Sequence, residues 1–280
     1  MKDENSMNIL LIADIVGKSG RRIVRQKLPK LIMAHSVDFT IANVENAAGG
    51  FGITPKIAEE LISLQIDCMT SGNHIFDRRE ITSYLDHEPR LIRPLNYPDP
   101  SPGTGIFIGT SRNGLRVAVL NVLGRVFIES FDCPFKTTDD ALAEIGQQAD
   151  VKIVDLHAEA TSEKIAFGWY FDGRVAAVIG THTHVQTADE RILPKGTAFI
   201  SDAGMTGSFD SVIGIEKELA IERFLTQRPV KFETASKNVK LQAVLINIDE
   251  RTYLAKKITR ITTDDDEEPD FESATADEKE

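Results

Sequence analysis

Short apolar, β-branched runs recur along this chain and alternate with stretches of helical periodicity. The runs predict strands at 8–13, 39–42, 67–70, 116–121, 151–156, 175–179, 198–201 and 241–248. Apolar residues spaced three and four apart predict helices at 21–34, 54–64 and 138–147. The second helix opens with Thr54 as N-cap and Pro55 in the first helical position, and the third carries acidic residues in its first turn. This alternation predicts a layered α/β fold.

The last part of the pattern differs from the rest. Residues 229–261 contain strand-like runs without an intervening helix. A purely parallel sheet needs a crossover between its strands, so we expect a mixed sheet or a two-sheet sandwich.

The acidic charge of the chain is concentrated at its C-terminal end. The chain has 280 residues and a net charge of -11, and residues 264–280 hold ten carboxylates and one lysine. Such a segment cannot bury enough apolar surface to offset the entropy lost on ordering. We therefore predict a flexible N-terminal extension at 1–6, one domain at 7–262 and an acidic disordered tail at 263–280. We expect a chain ending at about Ile261 to keep its fold and its activity.

The composition also excludes several classes of protein. The apolar run at 8–17 is interrupted by Asp14, so it is too short for a membrane span and unlike a secretory signal. Cys68 and Cys133 are too few and too isolated for a disulfide framework or a cysteine-based zinc site. No basic stripe points to duplex nucleic acid. We expect a cytoplasmic protein that binds neither a membrane nor duplex nucleic acid.

Five polar loops directly follow predicted strands. Their candidate residues are Asp14; Asn43, Glu45 and Asn46; Gly72, Asn73 and His74; His157 and Glu159; and Gly180, Thr181, His182, Thr183 and His184. Binding sites in open α/β sheets collect at the carboxyl ends of strands. The oxygen and nitrogen donors, without cysteine, suit iron, manganese or zinc, and there are too many of them for one ion.

Most of these loops also have a structural interpretation. Asp14 could cap the following helix, and Glu45-Asn46 could be a polar turn leading into a glycine-rich stretch. His74 could be a hydrogen-bonded loop histidine, and His157 could be a structural histidine at a strand end. His182 and His184 are the strongest indication of a metal site, because two residues apart in an extended loop they can direct both imidazoles to neighbouring coordination positions.

In their order along the chain, these residues resemble the motifs of the calcineurin-like metallophosphoesterase superfamily. The recognisable elements are Gly72-Asn73-His74 and the Gly-x-His-x-His segment at 180–184. More closely, GFGITPKIAEEL, TSGNHIFD, DSVIG and the stretch from DLHAEATSEK to SDAGMTG resemble the YmdB-type bacterial metallophosphoesterases, over residues 7–261. Val16 stands where the first motif of the superfamily usually has histidine, and Glu45-Asn46 stand where a bridging aspartate is usual. Both departures match the YmdB-type subgroup.

The resemblance implies a layered αββα sandwich with a dinuclear metal centre. The implied ligands of one metal are Asp14, Glu45, Asn46 and His184, and those of the second are Glu45, Asn73, His157 and His182. Glu45 would bridge the two ions. Iron is the first choice of metal, with manganese and zinc as alternatives. His74 is left without a metal, and an imidazole beside the centre suits the catalytic role of general acid.

The resemblance further implies hydrolysis of 2',3'-cyclic nucleotides to nucleoside monophosphates by a metal-activated hydroxide. Two alternatives stay open: a phosphomonoesterase acting on another small phosphorylated substrate, and a metal-containing regulatory protein acting through RNA or a protein partner. Homo-oligomerisation is a further family-level expectation. Substrate-binding residues are not assigned; the polar segments 159–162, 187–191 and 205–211 are candidates for the pocket wall, with plain surface loops as the alternative.

Overall fold

The computed structural model describes residues 5–128 and 131–265 of the chain. The strands are β1 Ser6–Ile12, β2 Asp14–Ile15, β3 Phe39–Asn43, β4 Cys68–Thr70, β5 Ile106–Thr110, β6 Arg116–Leu123, β7 Val151–His157, β8 Ala177–Thr181, β9 Arg191–Ile192, β10 Ala198–Ile200, β11 Met205–Ser208, β12 Val239–Asp249 and β13 Ala255–Asp264. The helices are α1 Gly17–His35, α2 Pro55–Ser63, α3 Ile81–Tyr84, α4 Pro134–Ile145, α5 Thr161–Tyr170 and α6 Lys217–Thr226. No helix in this part of the chain is both long and apolar enough to cross a membrane.

The strands form two mixed sheets. In the first, the order is β2-β11-β12-β1-β3-β4, with β13 also paired to β12. In the second, the order is β5-β6-β7-β8-β10-β9. The neighbours β1, β3 and β4 run parallel, as do β6, β7, β8 and β10, while β12, β13, β5 and β9 join antiparallel to their neighbours. The prediction of a mixed, two-sheet arrangement is confirmed.

The hydrophobic core has three layers. One lies between the two sheets, and one lies between each sheet and the helices that cover it. Leu11 and Ile41 of the first sheet pack with Val119 and Ile153 of the second, all fully buried. A second cluster joins the first sheet to α1 and α2, and a third joins the second sheet to α4 and α5. Each sheet is thus covered on both faces, which explains why its central strands are continuous apolar runs. This is the predicted αββα sandwich.

The helices show where periodicity was informative and where it was not. Thr54 caps α2 as predicted, since its Oγ1 accepts the Ile57 N–H at 3.3 Å. The predicted start of the third helix at 138 was wrong: α4 begins at Pro134, because the fixed φ of proline suits the first helical turn, and that turn has no acidic residue. The prediction for α1 also began four residues late, at 21 rather than Gly17. Helices α3, α5 and α6 were not predicted.

The ends of the folded part lie slightly outside the predicted boundaries 7 and 262. Strand β1 starts at Ser6 and β13 continues to Asp264, where Asp264 lies opposite Lys240 of β12. The Asp265 N–H bonds to Val239 O at 3.0 Å, and its carboxylate lies 2.5 Å from Arg22 of α1. The rest of the predicted tail, and residues 1–4 of the predicted extension, lie outside the described residues.

We predict that the position at which the C-terminal tail is cut decides whether its removal lowers the free energy of unfolding. A chain ending after Asp265 should change the free energy of unfolding by less than about 0.5 kcal/mol. A chain ending after Ile261 loses residues 262–264 of β13 and the Arg22–Asp265 pair, so it should lose about 1–2 kcal/mol. Urea unfolding of the metal-free proteins measures both values. Equal stability of the two chains would contradict the role of the end of β13.

Candidate metal centre

Side chains from both sheets meet where the parallel strands end. Asp14 begins β2 and is fully buried, and Glu45 and Asn46 lie in the turn that follows β3. From the second sheet, His157 is the last residue of β7, and His182 and His184 follow β8. The loops therefore converge, as their positions after strands predict.

Three of these residues form a compact cluster. One ligand atom each of Glu45, His157 and His182 lies within 4.8 Å of the others. His157 Nε2 lies 2.9 Å from Glu45 Oε1 and 3.0 Å from His182 Nδ1. One cation could contact all three donors.

A second group of predicted ligands adjoins the first. His184 Nε2 lies 2.9 Å from Asn46 Nδ2 and 3.8 Å from Asp14 Oδ1. The backbone N–H of His182 points to Asp14 Oδ2 at 3.4 Å, which connects the two groups. Asn73 follows Gly72, where a side chain would collide with Glu45 and His157.

Three buried oxygens in this region lack a hydrogen-bond partner within the described part of the chain. They are Asp14 Oδ1, Asn46 Oδ1 and Asn73 Oδ1. A buried oxygen without a partner costs free energy, and a bound cation removes that cost. All three belong to residues predicted as ligands, so the donor set fits a metal centre.

The three candidate histidine ligands each have one ring nitrogen engaged by the protein. His157 Nδ1 contacts Thr181 Oγ1 at 3.0 Å, His182 Nε2 lies 3.1 Å from Glu159 Oε2, and His184 Nδ1 lies 2.8 Å from the Ile213 carbonyl oxygen. A metal-binding histidine commonly donates its second ring N–H in this way, which fixes the tautomer. The nitrogens left to face the common space are His157 Nε2, His182 Nδ1 and His184 Nε2.

Asp155 supports His157 from behind, and sequence reasoning missed it. It is fully buried in β7, and its carboxylate accepts hydrogen bonds from Thr70 Oγ1, Thr181 Oγ1 and Asn43 Nδ2. Because Thr181 Oγ1 donates its single proton to Asp155, it accepts from His157 Nδ1–H. A charged residue inside an apolar strand was the signal that could have found it.

The electrostatics of the cluster follow from burial and close contact. Burial raises the pKa of Asp14 to about 6, and it lowers the pKa of His182, with help from the nearby His157, to about 3. For Glu45 burial acts to raise the pKa, but the His157 imidazole outweighs it and the pKa is lowered. The reverse holds for His157, where burial acts to lower the pKa and Glu45 outweighs it, so the pKa is raised. The Glu45–His157 pair therefore favours the charged forms.

His74 lies at the more open side of the cluster. Its backbone N–H bonds to Glu45 Oε2 at 3.1 Å, and its side chain is 29% exposed. Its Nδ1 lies 2.8 Å from Asp77 Oδ2, and Phe51 packs edge-on against the ring. Asp77 is three residues from His74, so local spacing could have indicated it. Among the described residues, no hydrogen bond engages Nε2 of His74, which in an imidazole can donate or accept a proton.

Gly72 is required by close packing at this point. A Cβ at residue 72 would lie 2.3 Å from both Glu45 Oε2 and His157 Nε2. Real Cβ contacts are not that short, so any larger residue would displace two candidate ligands.

The three segments predicted to line the substrate pocket are not all loops in the structure. Their role in binding substrate stays a prediction. Segment 159–162 is only partly a loop, because α5 begins at Thr161. In segment 187–191, Asp189 binds Thr187 and Ser201, and the guanidinium of Arg191 lies over the ring of Trp169 at 5.7 Å. Segment 205–211 includes strand β11.

The structure is a layered α/β fold of the metallophosphoesterase type. Its two mixed sheets lie between helices, and carboxylate, amide and imidazole groups meet at the shared edge of the sheets. Residues 10–261 match the model of the YmdB-like protein family. The chain therefore belongs to that family, and the resemblance seen in the sequence is confirmed.

Similar proteins cover nearly the whole chain. A Bacillus subtilis (strain 168) protein named 2',3'-cyclic-nucleotide 2'-phosphodiesterase is 49% identical over 93% of this chain and 98% of its own length. A solved structure from Thermus thermophilus, described as a hypothetical protein, is 38% identical with a TM-score of 0.87 and covers 92% of this chain and 99% of its own. A solved Mycoplasma pneumoniae protein described as a novel phosphatase is 33% identical with a TM-score of 0.87, covering 94% and 95%.

We predict that Gly72→Ala lowers the metal affinity at least about tenfold, because the new methyl group displaces Glu45 and His157. Elemental analysis of the purified protein after dialysis measures the bound metal. Gly114→Ala is the control for backbone strain alone: its φ of 91° strains any larger residue, but a Cβ there meets nothing within 4 Å and so displaces no candidate ligand. Full metal content in Gly72→Ala would show that the predicted ligands do not hold the ion.

Proposed function

We propose that this protein is a dimetal-dependent phosphodiesterase that hydrolyses 2',3'-cyclic nucleotides to nucleoside monophosphates. The observation that carries the proposal is the set of unpartnered buried oxygens on Asp14, Asn46 and Asn73 beside the cluster of Glu45, His157 and His182. The name of the Bacillus subtilis relative supports the substrate class.

The contacts support an assignment of the ligands to two ions. Asp14, Asn46 and His184 lie together on one side, and His157 and His182 lie together on the other. The proposed ligands of the first ion are Asp14, Glu45, Asn46 and His184, and those of the second are Glu45, Asn73, His157 and His182. The oxygen and nitrogen donors suit iron, with manganese and zinc as alternatives.

Two cations in this position would activate a water molecule and neutralise charge that develops on the phosphoryl oxygens. The chain itself supplies the proton for the leaving group. Asp77 engages Nδ1 of His74, which orients the ring so that Nε2 can donate to the ribose oxygen. The name of the relative points to cleavage at the 2' oxygen, which leaves a nucleoside 3'-monophosphate.

The proposed partner is a small phosphate ester, which needs neither a membrane nor duplex nucleic acid. We place the reaction in the cytoplasm, because the free thiols of Cys68 and Cys133 suit a reducing compartment.

A second candidate function is hydrolysis of a phosphate monoester. The solved Mycoplasma pneumoniae relative, described as a phosphatase, favours it. The same ligands serve both reactions, and the difference lies in whether the site accepts a phosphate with two ester substituents.

We predict that His74→Ala lowers turnover of 2',3'-cyclic AMP by about 10²–10⁴-fold while the metal content is kept, because the proton donor is lost. Asp14→Ala should lose both metal and turnover. His87→Ala is the control for the first variant, because His87 is an exposed histidine in the turn after α3. Elemental analysis and chromatography of the products measure both properties.

The outcome separates the candidate functions. Formation of the 3'-monophosphate that depends on His74 supports the phosphodiesterase. Full metal content with no turnover of the cyclic nucleotide, but with release of inorganic phosphate from a monoester, would replace it by the phosphatase.

A further inference from the structure

A buried ion pair lies beneath the loop that carries His182 and His184. Lys164 of α5 and Asp202, which follows β10, are 2.8 Å apart, and their side chains are 2% and 1% exposed. Both residues fall within the stretch that resembles the YmdB-type proteins, but neither was singled out as a candidate, and neither belongs to the proposed ligand set.

The pair holds the loop on both sides of His182. Lys164 Nζ donates to the Thr181 carbonyl oxygen at 2.8 Å. Asp202 Oδ2 accepts from the Thr183 backbone N–H at 3.0 Å and from Thr183 Oγ1 at 2.8 Å. The other carboxylate oxygen accepts from the Gly204 N–H at 2.9 Å. Both charged groups are thus well satisfied, and most of their bonds end on the loop.

The loop needs such support because its backbone is unusual. His182 has φ 99° and His184 has φ 64°, both in the left-handed region. Residues other than glycine are strained there, and the strain persists only where surrounding contacts hold it. The two strained residues are the two histidines whose nitrogens face the proposed metal centre.

A buried ion pair is a poor device for stability alone. Removing two charges from water costs much of what their attraction returns, and apolar residues of similar size often serve the fold as well. The ion pair is better explained by the backbone conformation that it imposes on residues 181–183.

We propose that the Lys164–Asp202 pair is a positioning device that holds the loop in its strained form, so that His182 and His184 are arranged for metal before a metal binds. This inference rests on the metal centre proposed above. It assigns no contact with substrate to either residue.

The test compares variants of the full chain with the metal removed. Lys164→Met removes the charge and the bond to Thr181, and it leaves the Asp202 carboxylate buried without its cation. Thr183→Val removes the Thr183 Oγ1 bond to Asp202 while both charges stay, so it covers the case in which Lys164→Met does not fold. Thr183→Ser keeps that hydroxyl and serves as the conservative rescue.

Asp172→Asn is the control for loss of a buried charge elsewhere. Asp172 lies just beyond the C-terminal end of α5, is buried, and accepts hydrogen bonds from the backbone of Lys195 and Thr197. Its change should affect stability without affecting the loop at 181–184.

Two readouts are needed. Calorimetric titration with Mn²⁺ should show an affinity about 10–100-fold weaker for Lys164→Met and Thr183→Val than for the wild type, with Thr183→Ser and Asp172→Asn within about threefold. Hydrogen exchange of the metal-free proteins should be faster at residues 181–186 in the two weakened variants and unchanged in β12.

The inference would be overturned if Lys164→Met and Thr183→Val both bound Mn²⁺ with wild-type affinity. It would also be overturned if Asp172→Asn weakened Mn²⁺ binding as much as they do, because the weaker binding would then follow from lost stability. Absence of Mn²⁺ binding by the wild type would instead overturn the metal centre and the inference with it. Metal binding by the wild type without cyclic-nucleotide turnover would overturn the proposed substrate alone and leave the positioning role supported.

Discussion

The contact between Glu45 and His157 joins the two sheets at the point where their parallel strands end. Glu45 comes from the turn after β3 and His157 from the last position of β7, so the contact exists only because the sheets pack face to face. Inside the sandwich, Leu11, Ile153 and their neighbours exclude water, and the edge where the loops converge is the place where polar side chains can be gathered. The other candidate ligands are arranged around this contact.

Burying so many polar groups costs desolvation free energy. Hydrogen bonds from the surrounding residues offset part of that cost. Asp155 is buried among three side-chain donors and sets the tautomer of His157 through Thr181. Lys164 and Asp202 satisfy each other and the backbone beneath His182. Among the candidate ligands, the described structure leaves one buried oxygen each of Asp14, Asn46 and Asn73 without a hydrogen-bond partner, and a bound cation would satisfy them. Asp155 thus supports His157, and the Lys164–Asp202 pair supports the loop that carries His182, through buried hydrogen bonds.

The chain belongs to the YmdB-like family, and the structure explains several residues of the segments that carry the resemblance. Glycine is needed at position 72 because a Cβ there would come within 2.3 Å of two candidate ligands, and at position 180 because a Cβ would collide with the Ser201 carbonyl oxygen. The lysine in the segment TSEK is explained by its place under the loop rather than by exposure on a helix. The His74 side chain is 29% exposed, and its Nδ1 is held by the Asp77 carboxylate.

The sequence by itself determined the layered α/β class, the two-sheet character and the loops that carry Asp14, Glu45, His157 and His182, because strand periodicity and a polar residue after a strand are local properties. It did not reveal α5, because a buried lysine interrupts the apolar pattern that marks a helix. Only the tertiary structure decided which polar residues support the site. Asp155 meets Thr70 across 85 residues and Lys164 meets Asp202 across 38, and such partners are brought together by the packing of strands and helices, which no local pattern records.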